Sequence, residues 1–239
     1  YEAGFDGVAT ENGAGQLGWK AKGTIPHALE NVSAFYFGKN NAVVEATKAF
    51  DRVINPVVPR IALIDYNNRE ITDAINTGKE LEGRLAGVRI DTCGENLAEG
   101  AFGNEEEFRK YFGNVTIPEE DKKYWFGNGV TVTGVYALRQ GLDKAGFQDV
   151  GIYLSSGFSN PKKVLAFNRA EEIFNNQLYQ GIGAGFADGR ATFTADIVAV
   201  GETKEEVDFY DNKNRVEKRN VVHKNGRKPR LNPGLRRLL

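Results

Sequence analysis

Sulfur is nearly missing from this 239-residue chain: it holds one Cys, at position 93, and no Met. A single thiol excludes an internal disulfide and any multi-cysteine zinc site, and it is what a reducing, cytoplasmic setting predicts. The lack of Met, an initiator included, is expected of a piece of something longer. Histidine is scarce as well, with only His27 and His223, and no second His stands near enough to either to suggest a metal pair. No segment approaches the ~18 uninterrupted apolar residues of a membrane span. The opening YEAGFDGVAT has no basic region followed by an apolar run, so no signal peptide is expected. Internal repeats at solenoid spacing are absent. No Gly-Lys-Ser/Thr follows the glycine-rich turns, which excludes a Walker loop. GIGAGF (181–186) lacks the third glycine of a dinucleotide fingerprint and the acidic residue ~20 positions on. No Ser-His-Asp spacing or paired-Glu pattern supports hydrolysis.

Charge is balanced overall and uneven locally. The formal net charge is −1, which gives no global attraction to nucleic acid. Residues 213–239, however, hold ten Lys or Arg against one acid, Glu217, which leaves the rest near −10. With no aromatic residue interleaved, this tail reads as a phosphate-binding element or a solvated end rather than a nucleic-acid arm.

With 41% hydrophobic residues, the chain can bury one large core. Four short apolar runs end in polar or glycine residues: RIALIDY (60–66), LAGVRIDT (85–92), GIYLSSGF (151–158) and QLYQGIGAGF (177–186). Buried parallel strands read this way. Helical periodicity lies between or before them over 41–54, 69–81 and 132–147, and Asn160-Pro161 opens another helical segment through Ala170. Strand and helix in alternation predict a parallel sheet. The fold class is therefore α/β, an irregular or incomplete α/β barrel with mainly parallel strands over residues 1–212, followed by the basic tail. Residues 94–128, acidic, aromatic and glycine-rich, read as an insertion or lid with a short helix near 105–112.

In such a fold the loops after the strands build the site, and the last two strands often hold a phosphate. Asp91 ends a strand two residues after Arg89, so both side chains can point one way. An Asp there can bind sugar hydroxyls or hydrated magnesium, and an Arg can hold a phosphate oxygen. Alone, such an Asp is more often a structural ion pair or a helix cap. Asp65 and Asp6 recur in similar positions, and three such aspartates suggest a polyhydroxylated, metal-bound ligand. SSGF (155–158) and GIGAGF are turns whose backbone N–H groups can face an anion. His27 follows the constrained Gly23-Thr24-Ile25-Pro26.

Taken together, GFDGVAT, GTIPHAL, VEATKAFDR, LIDY, GVRIDT, the stretch from VTVTGVYALRQGLDKAGF through SSGFSNPKKVLAF, GIGAGF with FTADIVAV, and HKNGRKPRLNPGLRRLL resemble the nicotinate phosphoribosyltransferase family, especially its archaeal-type branch. The resemblance implies an irregular barrel of the type II phosphoribosyltransferase kind. The implied activity transfers the ribosyl phosphate of phosphoribosyl pyrophosphate to nicotinate, with ATP as co-substrate and magnesium as cofactor, as the entry to NAD salvage. It places His27 where the family phosphorylates a His, Asp6 near the pyridine ring, and Arg89 and Asp91 at the ribose and pyrophosphate. Asp65 falls near the same pocket as a catalytic carboxylate, and Thr24 and Thr92 are substrate-binding. Ser156, Gly157, Gly181 and Gly183 fall on the loops for the 5-phosphate. Any magnesium would be held by Asp91 and Asp65 through water. The family's N-terminal domain has no counterpart in this sequence, so the expected partners are further copies in a homo-oligomer or a separate N-terminal portion. SSGF stands where the family has SGGF, and Ala184-Gly185 where it commonly has a hydroxyl residue. Related quinolinate or nicotinamide phosphoribosyltransferases, or a non-catalytic homologue, are the alternatives; the His27 motif speaks against quinolinate, whose chemistry needs no ATP.

Overall fold

The computed structural model describes residues 6–175, 178–184, 197, 200–202, 222, 224 and 225. The first half of GFDG, the end of GIGAGF, most of FTADIVAV, His223 and nearly all of the basic tail lie outside the described residues.

The described chain runs α1 (Glu11–Gln16), α2 (His27–Phe37), α3 (Ala42–Val53), β1 (Arg60–Leu63), α4 (Glu70–Glu80), β2 (Leu85–Ile90), α5 (Glu105–Phe112), α6 (Lys122–Trp125), α7 (Val132–Lys144), β3 (Gly151–Leu154), α8 (Pro161–Ile173) and β4 (Gly181–Ile182). Each of the four apolar runs supplies one strand. The strands stand in the order β1-β2-β3-β4, and every pairing is parallel. Neighbours in sequence are thus neighbours in the sheet, and each pair is joined by a helical crossover, as parallel strands require. This is the barrel connectivity, left open after four strands among the described residues: an incomplete α/β barrel, as the sequence reads.

Local chemistry sets the helix starts. The Thr131 side chain accepts from the Gly134 amide at the head of α7. Asn160 accepts from the Lys162 amide (3.0 Å) with Pro161 at the first position of α8, where its missing N–H is no loss. Asn104 caps α5, whose first turn holds Glu105, Glu106 and Glu107, a placement the helix dipole favours. Gly87 is required by the sheet, since a β-carbon there would come within 2.6 Å of the Tyr153 ring.

The main core joins Val88, Ile90, Ile152 and Leu154 of the strands to Leu138 and Leu142 of α7 and Phe167 of α8. Residues 94–128 contribute to it directly: Phe108 and Trp125 are buried there, and Phe108 stacks on Phe112 at 4.6 Å between centroids. A second cluster of Ile25, Ala46 and Leu63 ties the turn before α2, and α3, to β1. This small cluster sets the head of α2 beside the end of β1. No helix among the described residues is long and apolar enough to cross a membrane.

Candidate functional site

The carboxyl ends of β1, β2 and β3 and the first turn of α2 converge. Beyond β1 the chain keeps its ladder for one more residue, Ile64 N–H donating to the Arg89 carbonyl (3.2 Å), and this aims the next residue, Asp65, inward. His27 is the first residue of α2, and its Nε2 lies 3.0 Å from Asp65 Oδ1. Glu30, one turn further on α2, has Oε2 4.0 Å from the same nitrogen. From β2, Arg89 donates through Nη2 to the Ile25 carbonyl (3.0 Å), which fixes the turn that carries His27. Its Nη1 lies 3.4 Å from Ser155 Oγ and 4.0 Å from Asp91 Oδ2. Ser155 Oγ stands 3.0 Å from Asp91 Oδ1. His27, Asp65 and Asp91 each bring a ligand atom within 4.8 Å of the others.

A residue from the far end of the chain completes the group. Lys224 pairs its ammonium with the Asp65 carboxylate and donates to the Asp91 carbonyl at 2.7 Å. Both side chains are buried, Lys224 at 4% exposure and Asp65 at 0%. Asn225 anchors this strap: its backbone N–H donates to the Tyr66 carbonyl (2.9 Å) and its Nδ2 to the Asn67 carbonyl (2.8 Å), and its Oδ1 accepts from Lys39 (2.5 Å).

Next to β3, the SSGF turn places Ser156 and Gly157 in succession at φ 72° and 77°. Lys163, from the first turn of α8, donates to the Ser156 carbonyl (2.9 Å) and lies over the Phe158 ring at 4.4 Å. Burial pushes the Lys163 ammonium down to about 8, with the charge of Asp91 opposing the shift. Burial likewise raises the Glu30 carboxyl well above the ordinary carboxylate range, against the pull of Lys224 and Arg89.

The left-handed conformation suits glycine and costs a serine roughly 1–2 kcal/mol. Ser156→Gly is therefore expected to stabilise the fold by about 0.5–1 kcal/mol after the entropic cost of glycine. Urea unfolding checks this, and a destabilised variant would contradict the strain.

The sequence candidates thus divide. His27, Asp65, Arg89 and Asp91 meet at the strand ends. Ser156 and Gly157 form the turn one strand over. Thr24 sits half-buried three residues before His27. Thr92 is buried and donates to Glu70 Oε1 (2.7 Å) at the head of α4. Gly181 opens β4, and the Gly183 N–H donates to the Leu154 carbonyl (2.7 Å). Asp6 is exposed in coil, and among the described residues no hydrogen bond joins it to the group. Sequence reasoning missed Glu30, Ser155, Lys163 and Lys224. Ser155 and Lys163 carried a signal, because Ser155 opens the SSGF turn and Lys163 closely follows it. Glu30 lies one turn after His27 but reads as an ordinary helix acid, and no spacing ties Lys224 to Asp65.

No protein-family model matches the chain, and no curated protein matches it significantly. Among solved structures, a crystal structure of nicotinate-nucleotide pyrophosphorylase from Pyrococcus furiosus is similar at 29% identity over 75% of this chain, with a TM-score of 0.47. The match covers 35% of that protein, so this chain spans about a third of its length.

Proposed function

We propose that the chain carries the phosphoribosyl-transfer site of a nicotinate phosphoribosyltransferase, coupled to ATP through His27. The observation that supports this reading best is the pairing of two units at one end of the sheet. A carboxylate-held imidazole (His27–Asp65) stands beside an Arg–Asp–Ser group (Arg89, Asp91, Ser155), with a Lys-backed turn next to them. The motifs that resemble the family fall on these same residues.

In the proposed reaction the C1–O bond to pyrophosphate breaks and a bond from C1 to the pyridine nitrogen forms. Positive charge develops on the ribose, and Asp91 is placed to stabilise it. Arg89 takes charge from the departing pyrophosphate. The SSGF turn and Lys163 hold the 5-phosphate, whose binding orients the reacting carbon. A proton on His27 Nε2, shared with Asp65, fixes the tautomer and gives the nucleophilic role to Nδ1. In the ATP step Nδ1 takes the γ-phosphoryl group and ADP leaves.

Magnesium would serve to shield the pyrophosphate charge. Asp91, a quarter exposed, fits a hydrated ion held through water, whereas Asp65 is closed off by His27 and Lys224.

Lys163 gives the reading a pH dependence. Its charged form is the one that binds phosphate, so affinity for phosphoribosyl pyrophosphate is expected to weaken roughly tenfold per pH unit above about 8. Titrations from pH 7 to 9.5 read this directly. Lys163→Met should bind weakly at every pH and show no such slope; a slope that survives in the variant belongs to another group.

Incubation with phosphoribosyl pyrophosphate and magnesium, with nicotinate, nicotinamide or quinolinate and with or without ATP, tests the activity. Nicotinate mononucleotide that rises with ATP is expected. Product from quinolinate alone, indifferent to ATP, would replace the nicotinate reading.

A further inference from the structure

We infer that the Lys224 ammonium, paired with Asp65 and bonded to the Asp91 carbonyl, blocks a latent divalent-metal site formed by His27, Asp65 and Asp91, and that removing this one charge turns the cluster into a metal centre. The inference rests on the geometry alone and does not depend on the phosphoribosyl reading. One imidazole and two carboxylates are a usual ligand set for first-row divalent ions. The 3.0 Å between His27 Nε2 and Asp65 Oδ1 is the spacing of two ligands on one ion. Ligand atoms each about 2.1 Å from one ion lie at most about 4.2 Å apart. The widest separation in the cluster is 4.8 Å or less, and Asp91, the most exposed member, closes the difference by rotation.

Glu30 is the independent sign that a cation belongs here. It is 1% exposed, and neither carboxylate oxygen has a hydrogen-bond partner among the described residues. A buried carboxyl group left without a hydrogen-bond partner is costly, and a cation beside it would satisfy it. Its Oε2 faces His27 at 4.0 Å.

In the protein as it stands, Lys224 supplies the cation. Its ammonium touches Asp65 and the Asp91 carbonyl, and Asn225 prevents it from swinging out, with three hydrogen bonds of 2.5–2.9 Å to Tyr66, Asn67 and Lys39. A divalent ion in the cluster would lie a few ångströms from this fixed positive charge and be repelled. The strap is therefore what keeps a metal ion off the His27 imidazole.

Cobalt(II) tests this through its visible absorption. The parent, without an affinity tag, is expected to show no bound-cobalt band at millimolar metal. Lys224→Met should bind one Co2+ at least 100-fold more tightly and gain melting temperature with the metal, or fold only when the metal is added. Adding His27→Asn should remove both effects. One equivalent of Co2+ bound by the parent through His27 would overturn the inference. So would a Lys224→Met protein, or a Lys224→Gln protein, whose spectrum and folding are the same with and without cobalt.

Discussion

Asp91→Asn is expected to lower phosphoribosyl transfer by roughly 10²–10³-fold while leaving the melting temperature close to the parent's. Asn has the shape of Asp and keeps an oxygen for Ser155 Oγ, 3.0 Å away. The hydrogen bond that positions the side chain therefore survives. What disappears is the negative charge that, in the proposed reaction, would face the developing oxocarbenium-like ribose, and charge placed there acts on the transition state more than on the bound substrate. The loss should appear in kcat more than in the affinity for phosphoribosyl pyrophosphate. Rates with saturating substrate and a thermal melt of the same preparation check both halves. Turnover at the parent's level would remove Asp91 from the chemistry.

Asp65→Asn is expected to cost about 3–5 kcal/mol of stability, the usual result of removing one partner from a buried ion pair. Asp65 is fully buried, and so, nearly, is Lys224. Asn can still accept from His27 Nε2, but it cannot neutralise the ammonium held by the Asn225 strap. The double variant Asp65→Asn/Lys224→Met should recover much of the loss, because both charges are then gone. Denaturant midpoints across the four proteins of this cycle measure the coupling. A single-variant loss under about 1 kcal/mol, with no recovery in the double, would mean that the strap does not close on Asp65.

Much of the fold is legible in the sequence because it is written in local terms. RIAL, LAGVRI and GIYL are short apolar runs between polar ends, and such runs become strands whatever follows. The Asn160-Pro161 start of α8 and the helix over Glu105–Phe112 are likewise local signals. The meeting of Asp65 with Asp91 is legible too, since parallel neighbouring strands bring their carboxyl ends together. The remaining features depend on contacts no local pattern encodes. Lys224 joins Asp65 across 159 positions of chain by way of a strap held mainly through backbone carbonyls, and any residue type supplies those. Thr92 stands beside Asp91 in sequence, but its hydroxyl serves Glu70, a choice set by the packing of α4 against β2. The role of residues 94–128 in the core follows from Phe108 and Trp125 finding α7 and the sheet, which a reading of composition sees only as aromatic content.

Binding of phosphoribosyl pyrophosphate at the strand ends is read by calorimetric titration of the chain with that compound and magnesium. One site per chain is expected, weakened at least tenfold by Arg89→Met and unchanged by Lys110→Met on the exposed face of α5. Absence of binding by the parent, or equal binding by the Arg89 variant, would contradict the account.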